Sequence, residues 1–387
     1  MDRTLLISNI TIADSIKESF IGDVFLENGK IKEIAASIKI DADIHVDATD
    51  KGWIVVPGFI DIHIHGASGF DVMDGTPDAL NGLASALPRE GTTSFLATTM
   101  TQTEESIEKA LRNASQFNAD ATQAEMLGIH LEGPFISSER AGAQPIEHIV
   151  PPSISLFKKW QELSGNRIKL VTVAPEVDQG LAFIEEVTAN KVVASLGHTD
   201  ATYEIVSQAV KAGAKQVTHL YNQMSPFHHR EPGVVGAALL EKPLLVELIV
   251  DFIHSAPKSV ELAFRQKGAS GVILITDAMR AKGLAPGTYD LGGQDVEVTE
   301  NDARLADGTL AGSILTMENA AKNMKAATDC TLSELVAITS TNAATQLGLS
   351  NKGKIETGKD ADLTIIDEAW NVQMTICRGN IAYAKGN

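Results

Sequence analysis

Residues 54–66 read IVVPGFIDIHIHG. From Ile54 to Ile60 the run is apolar; then Asp61, His63 and His65 alternate with isoleucine. A continuous apolar run with little polar alternation suits a strand buried on both faces of a parallel sheet. A strand is therefore expected over Ile54–His63. Residues two apart on a strand point the same way, so His63 and His65 can bind one ion together.

Seven more strand-like runs follow, most of them continuously apolar: Thr92–Thr98, Met126–Leu131, Ile168–Val173, Val192–Gly197, Gln216–Leu220, Leu244–Val250 and Gly271–Thr276. Helix signals lie between them. Thr76-Pro77 is an N-cap followed by proline at the first helical position. Thr101–Glu104 and Thr331–Glu334 both fit the capping box. Eight such units predict an α/β fold, a (β/α)8 TIM-like barrel. An open doubly wound sheet is the structural alternative, but no G-x-G-x-x-G fingerprint supports its dinucleotide-binding form. The Gly- and Asp-rich stretch Ala281–Gly312 reads as an insertion after the eighth strand.

The two ends differ from the middle. Thr4–Ala13, Ile21–Leu26 and Ile31–Ile34 are short and β-like, with Asn28-Gly29 suited to a type I′ hairpin turn. Leu363–Ile366, Gln373–Cys377 and Ile381–Ala384 are similar, joined by Arg378-Gly379-Asn380. None of these pieces can fold alone. Residues 1–53 plus 354–387 are expected to form one small β-sandwich domain, and residues 54–353 the barrel.

The chain has 387 residues, 44% hydrophobic and 21% charged. That composition excludes a disordered chain or a disulfide-stapled miniprotein. No apolar run approaches the roughly 18 to 20 residues needed to span a bilayer, and Glu247 breaks the most apolar segment, Leu244–Val250. The N-terminal residues carry no secretory signal pattern. Two cysteines, Cys330 and Cys377, are too few for a disulfide framework and favour a reducing cytoplasm. With 32 basic against 50 acidic residues, the formal net charge is -18. Such a surface repels nucleic acid and anionic membrane. An anionic substrate would need a local basic pocket.

Polar residues gather where the strands end. The first strand gives His63 and His65, the third Glu132, the fifth His198, the sixth His219 and the eighth Asp277; Asp251 and His254 follow the seventh. A lone strand histidine is more often a hydrogen-bonded core residue than a ligand. Coincidence of position changes that reading, because the C-terminal ends of all barrel strands converge on one mouth. Carboxylates and imidazoles rarely converge in a buried mouth without an ion to pair with. Neutral imidazole and carboxylate suit zinc, iron and related divalent metals.

IVVPGFIDIHIHG at Ile54 resembles the opening of the amidohydrolase superfamily. LEGPF at Leu131, LGHT at Leu196, THLYNQMSPFHHREPG at Thr218, DFIH at Asp251, ITDAM at Ile275 and DGTLAGS at Asp307 resemble one family within it, the N-acetylglucosamine-6-phosphate deacetylases. The resemblance covers nearly the whole chain. It implies that Glu132, His198 and His219 bind the metal found throughout the family. It implies that His63 and His65, with Asp277, bind the second metal of members that hold two. One or two ions of zinc or iron per subunit are therefore expected, with Glu132 bridging. Asp277 matches the catalytic acid/base. Arg230 and His254 match residues that hold the sugar phosphate, Arg230 reaching a neighbouring subunit's site, which implies a homodimer. Asn222, Gln223, Ala143, Leu310, Ala311 and Gly312 match sugar contacts. Two positions depart from the family: Gln144 stands where some members have a histidine that positions the acetyl group, and Gln223 replaces a small residue.

The activity so implied is metal-dependent removal of acetate from N-acetylglucosamine 6-phosphate, in the cytoplasm, in amino-sugar catabolism and cell-wall sugar recycling. Three alternatives stand beside it. One is the same reaction on the galacto epimer. Another is cyclic-amide hydrolysis, disfavoured by Arg230 and by the lack of an obvious bridging lysine. The third is a non-catalytic sugar-phosphate sensor, which should have lost ligands that this chain keeps.

Overall fold

The computed structural model describes residues 4–386. Residues 1–3 and 387, assigned above to the terminal domain, lie outside the described residues. Eight strands form one sheet in chain order: Phe59–Ile64, Thr92–Thr98, Glu125–Glu132, Ile168–Val173, Val193–Leu196, Gln216–Val217, Leu245–Ile249 and Val272–Ile275. Every neighbouring pair is parallel. The sheet closes on itself. Asp277 N donates to His63 O at 2.8 Å and His65 N to Ala278 O at 2.9 Å. A helix follows each strand before the next, from Pro77–Ala86 to Met317–Ala327. This is the expected (β/α)8 barrel.

The strand expected over Ile54–His63 is two strands. Ile54–Pro57 pairs with Thr11–Ile12 and Leu363–Ile366 in the terminal sheet, while Phe59–Ile64 opens the barrel. Gly58 is the crossing point, its N–H donating to Asp362 O at 2.9 Å. A Cβ there would lie 2.2 Å from Thr93 Oγ1, so only glycine fits. Residues 54–57 therefore belong with the terminal sheet. A second correction concerns Thr101. The helix Glu104–Gln116 is capped by Thr103, whose side chain accepts from Ser106 N; Thr101 N is instead bonded to Gln144 Oε1 at 2.8 Å. The Thr331–Glu334 capping box and the Thr76 cap are present.

The terminal sheet has eight strands drawn from both ends of the chain. Asn28 and Gly29 have φ of 54° and 71°, as a type I′ turn requires. The start of its edge strand Lys30–Ala35 is tied to the segment leading into Leu363–Ile366, with Ile31 N on Lys359 O and Ala361 N on Gly29 O, both at 2.9 Å. Its core includes Leu5, Ile7, Val24, Leu26, Leu363, Ile365 and Ile376. Thr364 and Thr375 hydroxyls donate to Gly91 O and Pro88 O just before the second barrel strand. The stretch read as an insertion forms a small antiparallel sheet, Gly287–Leu291, Gln294–Val298 and Ala303–Arg304. It packs on Met100 and Met279 beside the mouth.

Candidate active site

His63 lies on the first barrel strand and Glu132 ends the third. His65, His198, His219 and Asp277 each follow a strand end. Three of them leave their strands in the left-handed region, with φ of 48° at His198, 30° at His219 and 47° at Asp277. Such a backbone costs of order 1–3 kcal/mol per residue and is tolerated where a side chain must be aimed. All six side chains are buried at the barrel mouth.

Their atoms converge. Glu132 Oε1 lies 3.2 Å from His63 Nε2 and 3.3 Å from both His198 Nε2 and His219 Nε2. Its other oxygen is 3.2 Å from His65 Nε2. Asp277 Oδ1 is 3.4 Å from His63 Nε2 and 3.2 Å from His65 Nε2. His198 Nε2 and His219 Nε2 face each other at 3.1 Å. Two donor groups result, His63/His65/Asp277 and Glu132/His198/His219, each with its ligand atoms within 4.8 Å of one another. His63 Nε2 and Glu132 Oε1 are buried without a hydrogen-bond partner. Orphaned donor atoms in a nitrogen and oxygen set of this kind fit a divalent transition metal.

The cluster is strongly polarised. Burial pushes the Glu132 carboxyl up, but the His63 charge and the close approach of the His198 and His219 rings outweigh it and hold it well below the usual range. Asp277 is treated alike by burial and by His63 and His65, and ends at about 2. Burial pushes the His65 imidazole down, and its bonds to Asp277 and Glu132 reverse this, to about 9. His130, behind them, is held neutral by burial and by His63; its Nε2 bonds Thr172 Oγ1 at 2.7 Å. That is the core or supporting role its spacing from Glu132 suggests.

Above the donors is a cavity of about 340 Å³. Ala143, Asn222, Gln223, His254, Leu310 and Gly312 line it, as expected. Ala311 is wholly buried and is not among the lining residues. Arg230 is exposed and is also not among them; its Nη1 lies 3.1 Å from His229 Nε2. Glu231 is not its partner, accepting instead from Tyr203 N and Gly233 N. His254 Nδ1 is 2.6 Å from Asp251 Oδ2.

Sequence reasoning missed several residues here. Met100, Leu291, Arg304 and Thr309 also line the cavity, three of them from the inserted stretch. Arg304 is held by Asp302 and Gly308 O. Gln144 donates to Glu132 Oε2 at 2.9 Å while accepting from Thr101 N, so the departure at 144 braces a metal-binding candidate. Glu247, visible only as a charge in an apolar strand, bonds His63 Nδ1 at 3.0 Å.

Residues 54–382 match the model of the amidohydrolase family, and the chain belongs to that family. The N-acetylglucosamine-6-phosphate deacetylase of Lysinibacillus sphaericus is 49% identical over 385 residues, 99% of each chain. The N-acetyl-D-glucosamine-6-phosphate deacetylase of Mycobacterium smegmatis, solved in complex with N-acetyl-D-glucosamine-6-phosphate, is similar in structure, with a TM-score of 0.90 at 30% identity. That match covers 99% of this chain and all of the other. The N-acetylgalactosamine-6-phosphate deacetylase of Escherichia coli O157:H7 is 36% identical over 342 residues, 88% of this chain and 90% of its own.

Proposed function

We infer that this protein is a metal-dependent hydrolase that converts N-acetylglucosamine 6-phosphate to glucosamine 6-phosphate and acetate. The observation that carries the reading is the set of four imidazoles and two carboxylates on the floor of a cavity of about 340 Å³. Full-length similarity to N-acetylglucosamine-6-phosphate deacetylases at 49% identity, against 36% for the N-acetylgalactosamine-6-phosphate deacetylase, favours the gluco substrate.

Glu132, His198 and His219 would hold one ion, and His63, His65 and Asp277 a second. An ion held there would supply a water more acidic than bulk water and would polarise the acetyl carbonyl. Asp277 is the proton carrier. Its side chain is 12% exposed, the most open of the six, and it combines contact with His63 and His65 with a place on the cavity wall. A carboxylate held low stays ionised at neutral pH, ready to take the water proton and return it to the departing amine nitrogen.

His254 meets the phosphate from within the cavity. Arg230 meets it from the neighbouring subunit of a homodimer, where its planar fork can donate two hydrogen bonds. Its exposure outside its own cavity, beside Phe227 that is 60% exposed, supports this role. Ala143, Asn222, Gln223, Leu310 and Gly312 contact the sugar, with Ala311 shaping the loop behind. Cys330 and Cys377 are both free and buried, in keeping with a reducing cytoplasm.

Acetate release by zinc- or iron-loaded protein tests the reading, with N-acetylglucosamine 6-phosphate run beside its unphosphorylated form and its galacto epimer. Fast release from the first alone is expected. No release from any, with metal bound, would favour the sensor alternative.

A further inference from the structure

Glu247 sits in the middle of the seventh barrel strand, Leu245–Ile249, and is wholly buried. Burying a carboxylate there carries a heavy desolvation cost unless donors meet its oxygens. Three donors do. His63 Nδ1 lies 3.0 Å from Oε2, the His219 backbone N–H donates to Oε2 at 3.2 Å, and Gln216 Nε2 donates to Oε1 at 2.6 Å. Among the described residues, no lysine or arginine forms an ion pair with it. Gln346 Nε2 donates to Gln216 Oε1 at 3.1 Å, which fixes which end of the Gln216 amide faces Glu247.

Two of these partners, His63 and His219, come from different donor groups of the site. An ionised carboxylate only accepts, so the His63 proton must be on Nδ1. In the neutral ring that a metal requires, this leaves the Nε2 lone pair free, on the side where Glu132 lies at 3.2 Å and Asp277 at 3.4 Å. Carboxylate-bonded histidines are oriented and made more basic toward a metal in this way. The other imidazoles differ. His198 Nδ1 meets only the Arg140 carbonyl, at 2.9 Å, and the Nδ1 atoms of His65 and His219 have no hydrogen-bond partner.

We propose that Glu247 is a positioning residue: it locks His63 in the Nδ1-protonated tautomer and ties the ends of the first and sixth strands, so that the site holds its metal. This rests on the metal-centre reading above. The test is zinc titration of metal-free protein in competition with a chromophoric chelator, comparing wild type with Glu247→Gln. Glu247→Gln is nearly isosteric. It should weaken zinc binding at one of the two sites by about 10- to 100-fold, lowering kcat at limiting zinc with little change in KM. Equal affinity within twofold in a folded variant would overturn the proposal. A second readout needs no variant. In ¹⁵N-histidine NMR of zinc-loaded wild type, His63 should carry its proton on Nδ1 and its metal on Nε2. The reverse assignment would overturn the proposal even if Glu247→Gln did not fold. Wild-type protein that takes up neither zinc nor iron would instead remove the metal-centre reading, and this inference with it.

Discussion

Asp277 is asked to be both a metal-binding group and the carrier of a proton. Asparagine keeps an oxygen at the same place but cannot exchange a proton. Asp277→Asn should therefore leave fold and metal content near wild type and lower kcat about 10²- to 10⁴-fold. Near-normal turnover in a metal-replete variant would remove the proton-carrying role. His65 gives the site a pH dependence. With its imidazole pushed up to about 9 from 6.5, it is protonated at neutral pH in the metal-free protein. A raised histidine stabilises the metal-free fold fully below 6.5, and that contribution is lost as pH rises through about 9. A metal needs the neutral ring, so binding must expel that proton. Metal affinity should rise with pH between 6 and 8, by about tenfold per unit for each proton displaced. Calorimetric titration in buffers of different ionisation heat measures that release, and a flat affinity would contradict it.

At the scale of elements, the sequence reveals those parts whose chemistry repeats. Most barrel strands are short apolar runs, because both of their faces are buried, and the active-site donors lie at or near the places where strands end. The boundary at Gly58 was not legible, because Ile54–Pro57 and Phe59–Ile64 are both apolar and only their pairing partners separate them. Arg304 and Leu291 were not legible as pocket residues either. They reach the cavity because a small sheet packs on Met100 and Met279, a long-range contact with no local signature. The same holds for Lys352. Its side chain is 3% exposed, bonding Asp362 just before the strand Leu363–Ile366 and lying 2.7 Å from Glu125 at the start of the third barrel strand. Asp362 is itself buried, and burial pushes its carboxyl up while Lys352 opposes this. Removing one partner of a buried pair costs about 3–5 kcal/mol because the other charge is stranded. Lys352→Met should lower the melting temperature at pH 7, and the loss should shrink in mild acid, where the raised Asp362 carboxyl can protonate. A loss independent of pH would point to packing rather than charge.

The whole molecule poses the problem of an acidic protein with an anionic substrate. A net charge of -18 repels a sugar phosphate at long range, so binding must be won by local cations. Within one subunit the cavity offers His254 and Arg304, the latter already committed to Asp302. Arg230 lies outside that cavity, on an exposed loop. If the proposed homodimer carries it into the neighbouring site, two crippled subunits should repair each other. In a mixed dimer of Arg230→Ala with Asp277→Asn, the Arg230→Ala subunit keeps its own Asp277 and borrows arginine from its partner. One site in that dimer is then complete. Random reassortment of equal amounts makes half the dimers mixed, so activity at low substrate should recover to about one quarter of wild type. Each variant alone should stay far below that level, Arg230→Ala through a raised KM and Asp277→Asn through a lowered kcat. Reassortment without recovery would assign Arg230 to its own subunit or to no site, and leave His254 and Arg304 to hold the phosphate.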